Sequence, residues 1–400
     1  MRVLVVAHRM ELGGTQVNAI DLAAEIHGIA GVDLIMAAAP GPAAQMPRAA
    51  EFDMVALPDP TRHPSGEVVN ALERVRADFN PDLVHVWDWT QCFDAYPGLH
   101  LRRRLPMLCT VMSMVVPRFI PRQLPTTFGT VQLAEKASRV RSGPVHLLEP
   151  PVDTLANHPG VVDGQAFRSA HGVDQDEVLV VMVSRLESWL KLESLQRGIA
   201  AVEDLARRHP VRMVIVGEGS AAALVAERVA AANATLGRDV IALAGGMIDP
   251  REAYEAADIM LGMGGSALRT MAFGKPLVVM GERGFSRVLD AETLPTFLYQ
   301  GWYGVGTGAF NDLVGQLERL VVDPVERKSL GELGMSTIHD RYALSAAVPR
   351  LVDWYHEAAE QPYSLGRGLA EGIRTIGLVG GRAAQRSLTA RTSPLIKEEQ

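Results

Sequence analysis

Short, continuous apolar runs recur along the chain and fall into two series. Runs of this kind, rich in Val, Ile and Leu, are typical of parallel strands that are buried on both faces of a sheet. Amphipathic helical segments separate the runs, for instance at 187–208, 220–233 and 250–257. We therefore predict an α/β protein with two doubly wound, Rossmann-like domains. The first series lies at residues 2–8, 32–38, 81–88, 106–112 and 144–150, and the second at residues 177–184, 211–217, 239–245, 257–263 and 275–281.

The strand series is interrupted once, by a segment rich in Pro, Gly and polar residues that we predict to connect the two domains. A last helical pattern contains Pro349, which marks a start or a kink. Disorder or a loosely attached helix is expected for the Gly- and Arg-rich tail. The predicted segments are an N-terminal domain, the connection, a C-terminal domain, a helix that packs back on the fold and the tail, at residues 1–155, 156–176, 177–340, 341–363 and 364–400.

Composition narrows the function classes. The 400-residue chain is 48% hydrophobic and 21% charged, which is typical of a folded globular protein. Its net charge of −7 argues against a nucleic-acid-binding protein. The two cysteines, Cys92 and Cys109, lack metal-ligand spacing, so we predict no metal site and a reducing compartment. The chain starts with a strand pattern, and no run approaches the roughly 18 apolar residues of a membrane span, so a cytoplasmic protein is expected.

Three loops that follow apolar runs carry residues suited to phosphate. Glycines before a helix let backbone N–H groups approach an anion, although a plain tight turn is the alternative. An arginine and a lysine at a strand end suit a diphosphate, although solvated surface charges are the alternative. The residues are Gly13 and Gly14 in the first loop, Arg185 and Lys191 in the second, and Gly217 and Glu218 in the third.

A fourth loop contains Gly264 and Gly265 and opens a helix. We predict Ser266 as the N-cap of that helix and Gly274 as its C-cap. This assignment puts Arg269 in the first turn, where a cation opposes the helix dipole. A bound anion would reverse the sign of that interaction, and we predict that Arg269 faces a phosphate or the sugar edge of a nucleotide. The alternative is that its side chain turns outward to water.

In their order and spacing, these features resemble the retaining glycosyltransferases of family 4, which have the GT-B architecture of two facing Rossmann-like domains. The resemblance implies a nucleotide-sugar donor against the C-terminal domain and an acceptor against the N-terminal domain. It also implies that the sugar nucleotide is a co-substrate, with no cofactor, and that Arg185 and Lys191 hold its diphosphate without a metal. The matching stretches, over roughly residues 1–340, are GGTQVNAIDLA, PDLVHVWDW, PPVD, VSRLESWLK, HPVRMVIVGEGS, YEAADIMLGMG and MAFGKPLVV.

Three polar groups of that family's reaction centre are replaced in this chain. Leu261 and Arg269 stand where the family commonly has two glutamates, and arginine offers no hydrogen-bond acceptor. Met112 stands where the family has its active-site histidine. Glu282 and Asp88 are the carboxylates that we predict to act at the reaction centre instead.

The predicted function is retaining transfer of a sugar from a nucleoside diphosphate sugar, UDP before GDP, to a small-molecule acceptor such as a natural-product or cofactor precursor. We predict His85, Trp87, Trp89 and Met112 on the acceptor side, because aromatic faces suit rings; core tryptophans are the alternative. Two other functions stay open: a catalytically silent auxiliary or binding protein, and a pseudo-glycosyltransferase or epimerase with the same fold. A homodimer is also left open.

Overall fold

The fold comprises two parallel sheets, each covered by helices on both faces. A computed structural model describes residues 1–29, 31–307 and 312–392, and of residues 380–392 the backbone only. The strands of the N-terminal sheet are β1 (Arg2–Val6), β2 (Asp33–Ala38), β3 (Asp53–Ala56), β4 (Leu83–Trp87), β5 (Met107–Val111), β6 (Thr126–Phe128) and β7 (Val145–Leu147). Their spatial order is β3-β2-β1-β4-β5-β6-β7, and every pairing is parallel.

The C-terminal sheet has six strands in the described part of the chain, in the spatial order β10-β9-β8-β11-β12-β13. They are β8 (Val178–Val183), β9 (Val211–Val216), β10 (Ile241–Gly245), β11 (Ile259–Gly262), β12 (Leu277–Met280) and β13 (Ser286–Val288). The last pairing, β12 with β13, is antiparallel, and the others are parallel. The predicted pair of doubly wound sheets is confirmed.

Helices cover both faces of each sheet. Those of the N-terminal half are α1 (Gly14–His27), α2 (Gly66–Phe79), α3 (Asp88–Ala95) and α4 (Val131–Ser138). Those of the C-terminal half are α5 (Gly164–Ala170), α6 (Leu192–Leu205), α7 (Ala222–Leu236), α8 (Arg251–Ala256), α9 (Gly265–Ala272), α10 (Leu294–Gln300), α11 (Leu313–Val322) and α12 (Pro324–Thr337). The last two helices in the described part of the chain are α13 (Leu344–Glu360) and α14 (Leu365–Thr392).

Burial on both faces explains why the strand sequences are continuously apolar. On β1, Val3 and Val5 pack in the cluster that contains α1 and α13, whereas Leu4 and Val6 pack in the cluster of α2 and α3. All four side chains are at most 2% exposed. A strand buried on both faces therefore shows no alternation of polar and apolar residues.

The helix α13 returns the chain from the C-terminal domain to the N-terminal one. Leu351 and Tyr355, both buried, pack in the core beneath β1 and α1. Pro349 lies inside α13 rather than at its start. The two domains are therefore linked by this helix as well as by residues 148–163, which lie between β7 and α5.

Residues Leu365–Thr392 form the helix α14, which contacts the N-terminal domain. Glu371 accepts hydrogen bonds from the Arg122 guanidinium at 3.0 and 3.1 Å. The Thr375 hydroxyl donates to the carbonyl of Phe119 at 2.9 Å. In the ranges that the structure describes, no helix is both long and apolar enough to cross a membrane.

Three short strands and one helix were absent from the sequence expectation. β3, β6 and β13 have only three or four residues each, too few for a pattern to stand out. The helix α5 lies inside the segment expected to be a plain connection, and it packs tightly on α8. A Cβ on Gly164 would lie 2.6 Å from the backbone nitrogen of Ala256, so only glycine fits there.

Candidate functional site

A cavity of about 1120 Å³ lies between the two domains. It is formed by the loops that follow β1, β8, β9 and β11 at the carboxyl ends of these strands, where ligands of doubly wound sheets bind. The structure brings together all ten residues that the sequence analysis assigned to the nucleotide sugar. They line this cavity as Gly13, Gly14, Arg185, Lys191, Gly217, Glu218, Gly264, Gly265, Ser266 and Arg269.

The amino ends of two helices meet across the cavity. The helix α1 begins at Gly14 and α9 begins at Gly265. A Cβ on Gly265 would lie 3.7 Å from the Cα of Gly14, so the two glycine loops are in near contact. Since helix amino ends expose unpaired N–H groups and carry partial positive charge, this part of the cavity favours an anion.

The loop after β9 is tightly fitted against the loop after β8. Gly217 has a φ of 153°, and a Cβ there would lie 1.8 Å from the carbonyl oxygen of Ser184. The neighbouring Glu218 lines the cavity and lies against Gly246, whose Cβ position is 2.7 Å from the Glu218 carboxylate. Gly217 is therefore needed for the close approach of the two loop backbones.

Two cations from the C-terminal domain lie on one side of the cavity. Arg185 forms an ion pair with Glu11 of the N-terminal domain, with 3.2 Å between Nη1 and Oε2, and both side chains are about half exposed. Lys191 is half-buried, and its ammonium has no hydrogen-bond or ion-pair partner in residues 1–29, 31–307 or 312–392. Burial, followed by the charge of Arg185, lowers the pKa of Lys191 to about 8. An anionic ligand would relieve both effects.

The capping prediction for the fourth loop is wrong. The N-cap of α9 is Gly264, with a φ of 58°, so Ser266 lies inside the first turn. The Ser266 hydroxyl donates to the carbonyl of Met263 at 3.1 Å and accepts from its N–H at 3.2 Å. Arg269 consequently lies in the last turn of this eight-residue helix, where the dipole stabilises a cation. Gly274 follows the C-cap residue, Phe273, with a φ of 63°.

Arg269 faces a carboxylate of the opposite domain. Its Nη2 lies 3.6 Å from Oδ2 of Asp21 on α1, with the two side chains 15% and 7% exposed. Its Nη1 lies 3.5 Å from the Cβ position of Gly265, so the guanidinium is folded back to the glycine loop. Burial raises the pKa of the Asp21 carboxyl to about 6, although the charges of Arg269 and Arg48 oppose the rise.

Arg48 joins a further set of carboxylates along the same wall of the cavity. Its guanidinium donates to Glu25 at 2.7 Å and to Asp153 at 2.5 Å. These residues and Asp21 were missed by the sequence analysis. The one available signal for Asp21 was an acidic residue at a core position of an otherwise apolar helix, in AIDLAAE.

Three residues predicted near the reaction centre lie in the core instead. His85 is 1% exposed, and its ring nitrogens bond the Tyr355 hydroxyl at 2.8 Å and the Thr110 hydroxyl at 2.7 Å. Burial lowers the pKa of His85 to about 3. Trp87 is 1% exposed, and Asp88 is buried and accepts a hydrogen bond from the N–H of Trp89 at 2.8 Å. Their strand-end position was read correctly, but their side chains turn into the domain, so neither an acceptor nor a catalytic contact fits them.

Of the remaining predicted residues, one lines the cavity and two do not. Met112 lines the cavity. Trp89 is 36% exposed but packs on Phe93, at 5.3 Å between ring centroids, outside the residues that line the cavity. Glu282 accepts a hydrogen bond from the hydroxyl of Tyr303, and it is the tyrosine that lines the cavity. Tyr303 therefore stands between Glu282 and any ligand.

Comparison with known proteins agrees with this architecture. Residues 177–320 match the family described as "Glycosyl transferases group 1". A search of curated proteins found no significant match.

Three solved structures illustrate the similarity in fold. A glycosyltransferase from Rickettsia africae aligns with a TM-score of 0.69 at 14% identity, over 90% of this chain and 99% of that one. HepE from Anabaena, in complex with UDP-glucose, aligns with a TM-score of 0.69 at 14% identity, over 89% and 100%. A UDP-GlcNAc 2-epimerase from Neisseria meningitidis, bound to UDP-GlcNAc, aligns with a TM-score of 0.57 at 12% identity, over 88% and 99%. The chain thus has the GT-B fold, and its C-terminal domain matches a glycosyltransferase family.

Proposed function

We propose that this chain is a glycosyltransferase that binds a nucleoside diphosphate sugar between its two domains. The observation that carries the proposal is the ammonium of Lys191, which has no partner among the residues that the structure describes and lies beside Arg185, near two helix amino ends. A half-buried cation without a counter-ion destabilises the free protein, and a diphosphate supplies the missing charge. The match of residues 177–320 to a glycosyltransferase family supports the same assignment.

In this proposal the cationic pair stabilises the leaving diphosphate. When the bond between the sugar's anomeric carbon and the diphosphate breaks, negative charge develops on the phosphate oxygens. Arg185 offers a planar fork of donors and Lys191 a point charge, while the loops at Gly14 and Gly265 add backbone N–H groups. These groups are in place before the reaction, so little reorganisation is needed.

For the donor we propose UDP in preference to GDP, and for the acceptor a small molecule such as a natural-product or cofactor precursor. The similar fold of HepE, solved with UDP-glucose, supports the choice of base. Retention of configuration follows from the resemblance in sequence to family 4. The cavity wall keeps several carboxylates in spite of the replacements at Leu261 and Arg269, and Asp21 contacts Arg269, whose guanidinium lies beside the glycine loop.

Thermal shifts and turnover together test the proposal. The full chain is melted with UDP and with GDP, and release of UDP or GDP is followed from a panel of UDP- and GDP-sugars, respectively, with candidate acceptors. We expect a larger shift with UDP and nucleotide release from at least one donor. No shift with any nucleotide would overturn the proposal.

The same experiment separates transfer from a silent binding protein. A clear shift with UDP but no turnover on any donor and acceptor pair would favour a catalytically silent protein. Conversion of a UDP-sugar to its epimer, without transfer, would favour the epimerase alternative.

A further inference from the structure

A second, smaller cavity of about 220 Å³ lies in the N-terminal domain. It is formed by residues that follow β1, β2 and β3 and by the helix α3. Arg9 and Glu11 line both cavities, so the two spaces adjoin along the loop after β1. Glu11 also forms the ion pair with Arg185. The second cavity therefore lies on the acceptor side, next to the cations of the first.

A histidine and an aspartate form a pair in its wall. The Nδ1 of His63 lies 2.6 Å from Oδ2 of Asp94, and the other oxygen of Asp94 accepts from the N–H of Ser65 at 2.8 Å. Asp94 is 3% exposed and His63 about one-quarter exposed. The carboxylate thus accepts from Nδ1 and fixes the ring, which leaves Nε2 for contact with a ligand hydroxyl. In the described part of the chain, Nε2 of His63 has no partner.

Two more polar groups of the same cavity lack partners within the described residues. The Nδ1 of His8 is buried without a hydrogen bond, and burial lowers the pKa of this histidine to about 4, so it is neutral at pH 7. Gln91 accepts from the Thr90 hydroxyl through its carbonyl oxygen, and its amide nitrogen is unpaired. Since buried polar groups are normally hydrogen-bonded, the Nδ1 of His8, which is without a partner among the described residues, suits a ligand hydroxyl or amide, and the amide of Gln91 offers a further donor.

The charges around the cavity argue against an anionic ligand. Arg9, the one cation among the lining residues that the structure describes, forms ion pairs with Asp59 and Glu11. Asp94 is engaged by His63 and Ser65. What is left free is a set of neutral donors and acceptors, beside an apolar wall that contains Val6, Leu57 and Val68. A neutral ring with several hydroxyl groups fits this combination.

We propose that the second cavity binds the acceptor, and that His63, Asp94 and His8 select a neutral polyhydroxylated ring such as a sugar or a cyclitol. The proposal rests on the glycosyltransferase function proposed above. His63 contacts the ring hydroxyls, Asp94 acts through His63 as a positioning residue, and the Arg9–Glu11 stretch leads from the ring to the donor.

Saturation-transfer NMR titrations of the full chain test this assignment with D-glucose, N-acetyl-D-glucosamine and myo-inositol as probes, without nucleotide. We expect binding of at least one probe, weakened about fivefold or more by His63→Gln and by Asp94→Asn, the loss of one buried hydrogen bond. His356→Gln, an exposed histidine on α13, is the matched control and should leave binding unchanged.

The outcomes are distinct from those of the donor test. Binding of none of the three probes, or binding that His63→Gln does not weaken, would overturn the proposal. Preference for glucose 6-phosphate or glucosamine over glucose would overturn the assignment to a neutral ring. The UDP-induced thermal shift of His63→Gln should equal that of the wild type, which shows that the variant is folded. A wild type that shows no thermal shift with UDP would contradict the proposed donor site alone.

Discussion

Arg269 of the C-terminal domain and Asp21 of the N-terminal domain form a largely buried ion pair across the cleft, with 3.6 Å between Nη2 and Oδ2. The guanidinium also lies against the glycine loop at Gly265, where the structure favours an anion. A carboxylate and an incoming phosphate therefore compete for the same cation. Because of this competition, a substitution of Asp21 tests the proposed phosphate position as well as a substitution of Arg269 does.

The substitution Asp21→Asn should strengthen UDP binding. It removes a negative charge near the phosphate position and releases Arg269 from its partner, with little change in side-chain volume. We expect the dissociation constant of UDP to fall about threefold or more at pH 7.5, a gain of about 0.6 kcal/mol or more. Calorimetric titration measures this dissociation constant. Asp33→Asn, at an exposed aspartate of β2, is the control. Weaker binding in Asp21→Asn would show that the carboxylate helps to hold the donor.

The raised pKa of Asp21 also predicts a pH dependence of stability. Its pKa is about 6 in the folded protein against an ordinary value of 3.8, so the folded state holds the proton more tightly. The resulting stabilisation is complete below about pH 4 and is lost as the pH rises through 6. Between pH 5 and pH 7.5 the wild type should lose about 1 kcal/mol more than Asp21→Asn. Urea unfolding at both pH values measures the difference, and parallel pH profiles would contradict the assignment.

Substitution of Arg185 tests the more exposed member of the cationic pair, Arg185 and Lys191, that we propose to bind the diphosphate. Arg185→Ala should weaken UDP binding about tenfold or more, because a bidentate, charge-assisted contact is lost. The ion pair with Glu11 is half exposed, so the melting temperature without ligand should hardly change. Arg287→Ala, at an exposed position of β13, serves as the control. An unchanged UDP affinity would remove Arg185 from the site.

Gly217→Ala tests the close packing of the loop after β9 against the loop after β8, which carries Arg185. The added methyl group would lie 1.8 Å from the carbonyl oxygen of Ser184, at a φ of 153°. We expect a loss of about 2 kcal/mol or more in the free energy of unfolding. Gly66→Ala, at the first position of α2 with open space around it, should change stability by less than about 1 kcal/mol in either direction. Equal effects of the two substitutions would contradict the packing argument.

The sequence predicted the sheets and the phosphate-facing loops because both depend on local pattern. A strand buried on both faces is apolar throughout, as on β8, and a glycine loop at a strand end marks a close approach whichever way the domains sit. Side-chain direction at a strand end does not follow from pattern. His85 and Trp87 therefore could not be told apart from cleft residues, although they lie in the core.

Contacts between the domains were equally out of reach. Asp21 and Arg269 are 248 positions apart, and no local signal links a buried aspartate on one helix to an arginine on another. The helix start was also misjudged, because Gly264 rather than Ser266 precedes the first turn. That shift of two residues moved Arg269 from the first turn to the last and changed the sign of its interaction with the dipole.

Titration of UDP into the wild type and into Lys191→Met tests the central claim most directly. Lys191 has a half-buried ammonium with no partner in the described ranges. Its removal should leave the ligand-free protein as stable as the wild type or more stable, yet weaken UDP binding about tenfold or more. Lys136→Met, at an exposed position of α4, is the control and should change neither quantity. We therefore expect Lys191→Met to keep the stability of the wild type and to lose affinity for UDP. UDP binding of equal strength in wild type and Lys191→Met, or no binding by the wild type, would contradict it.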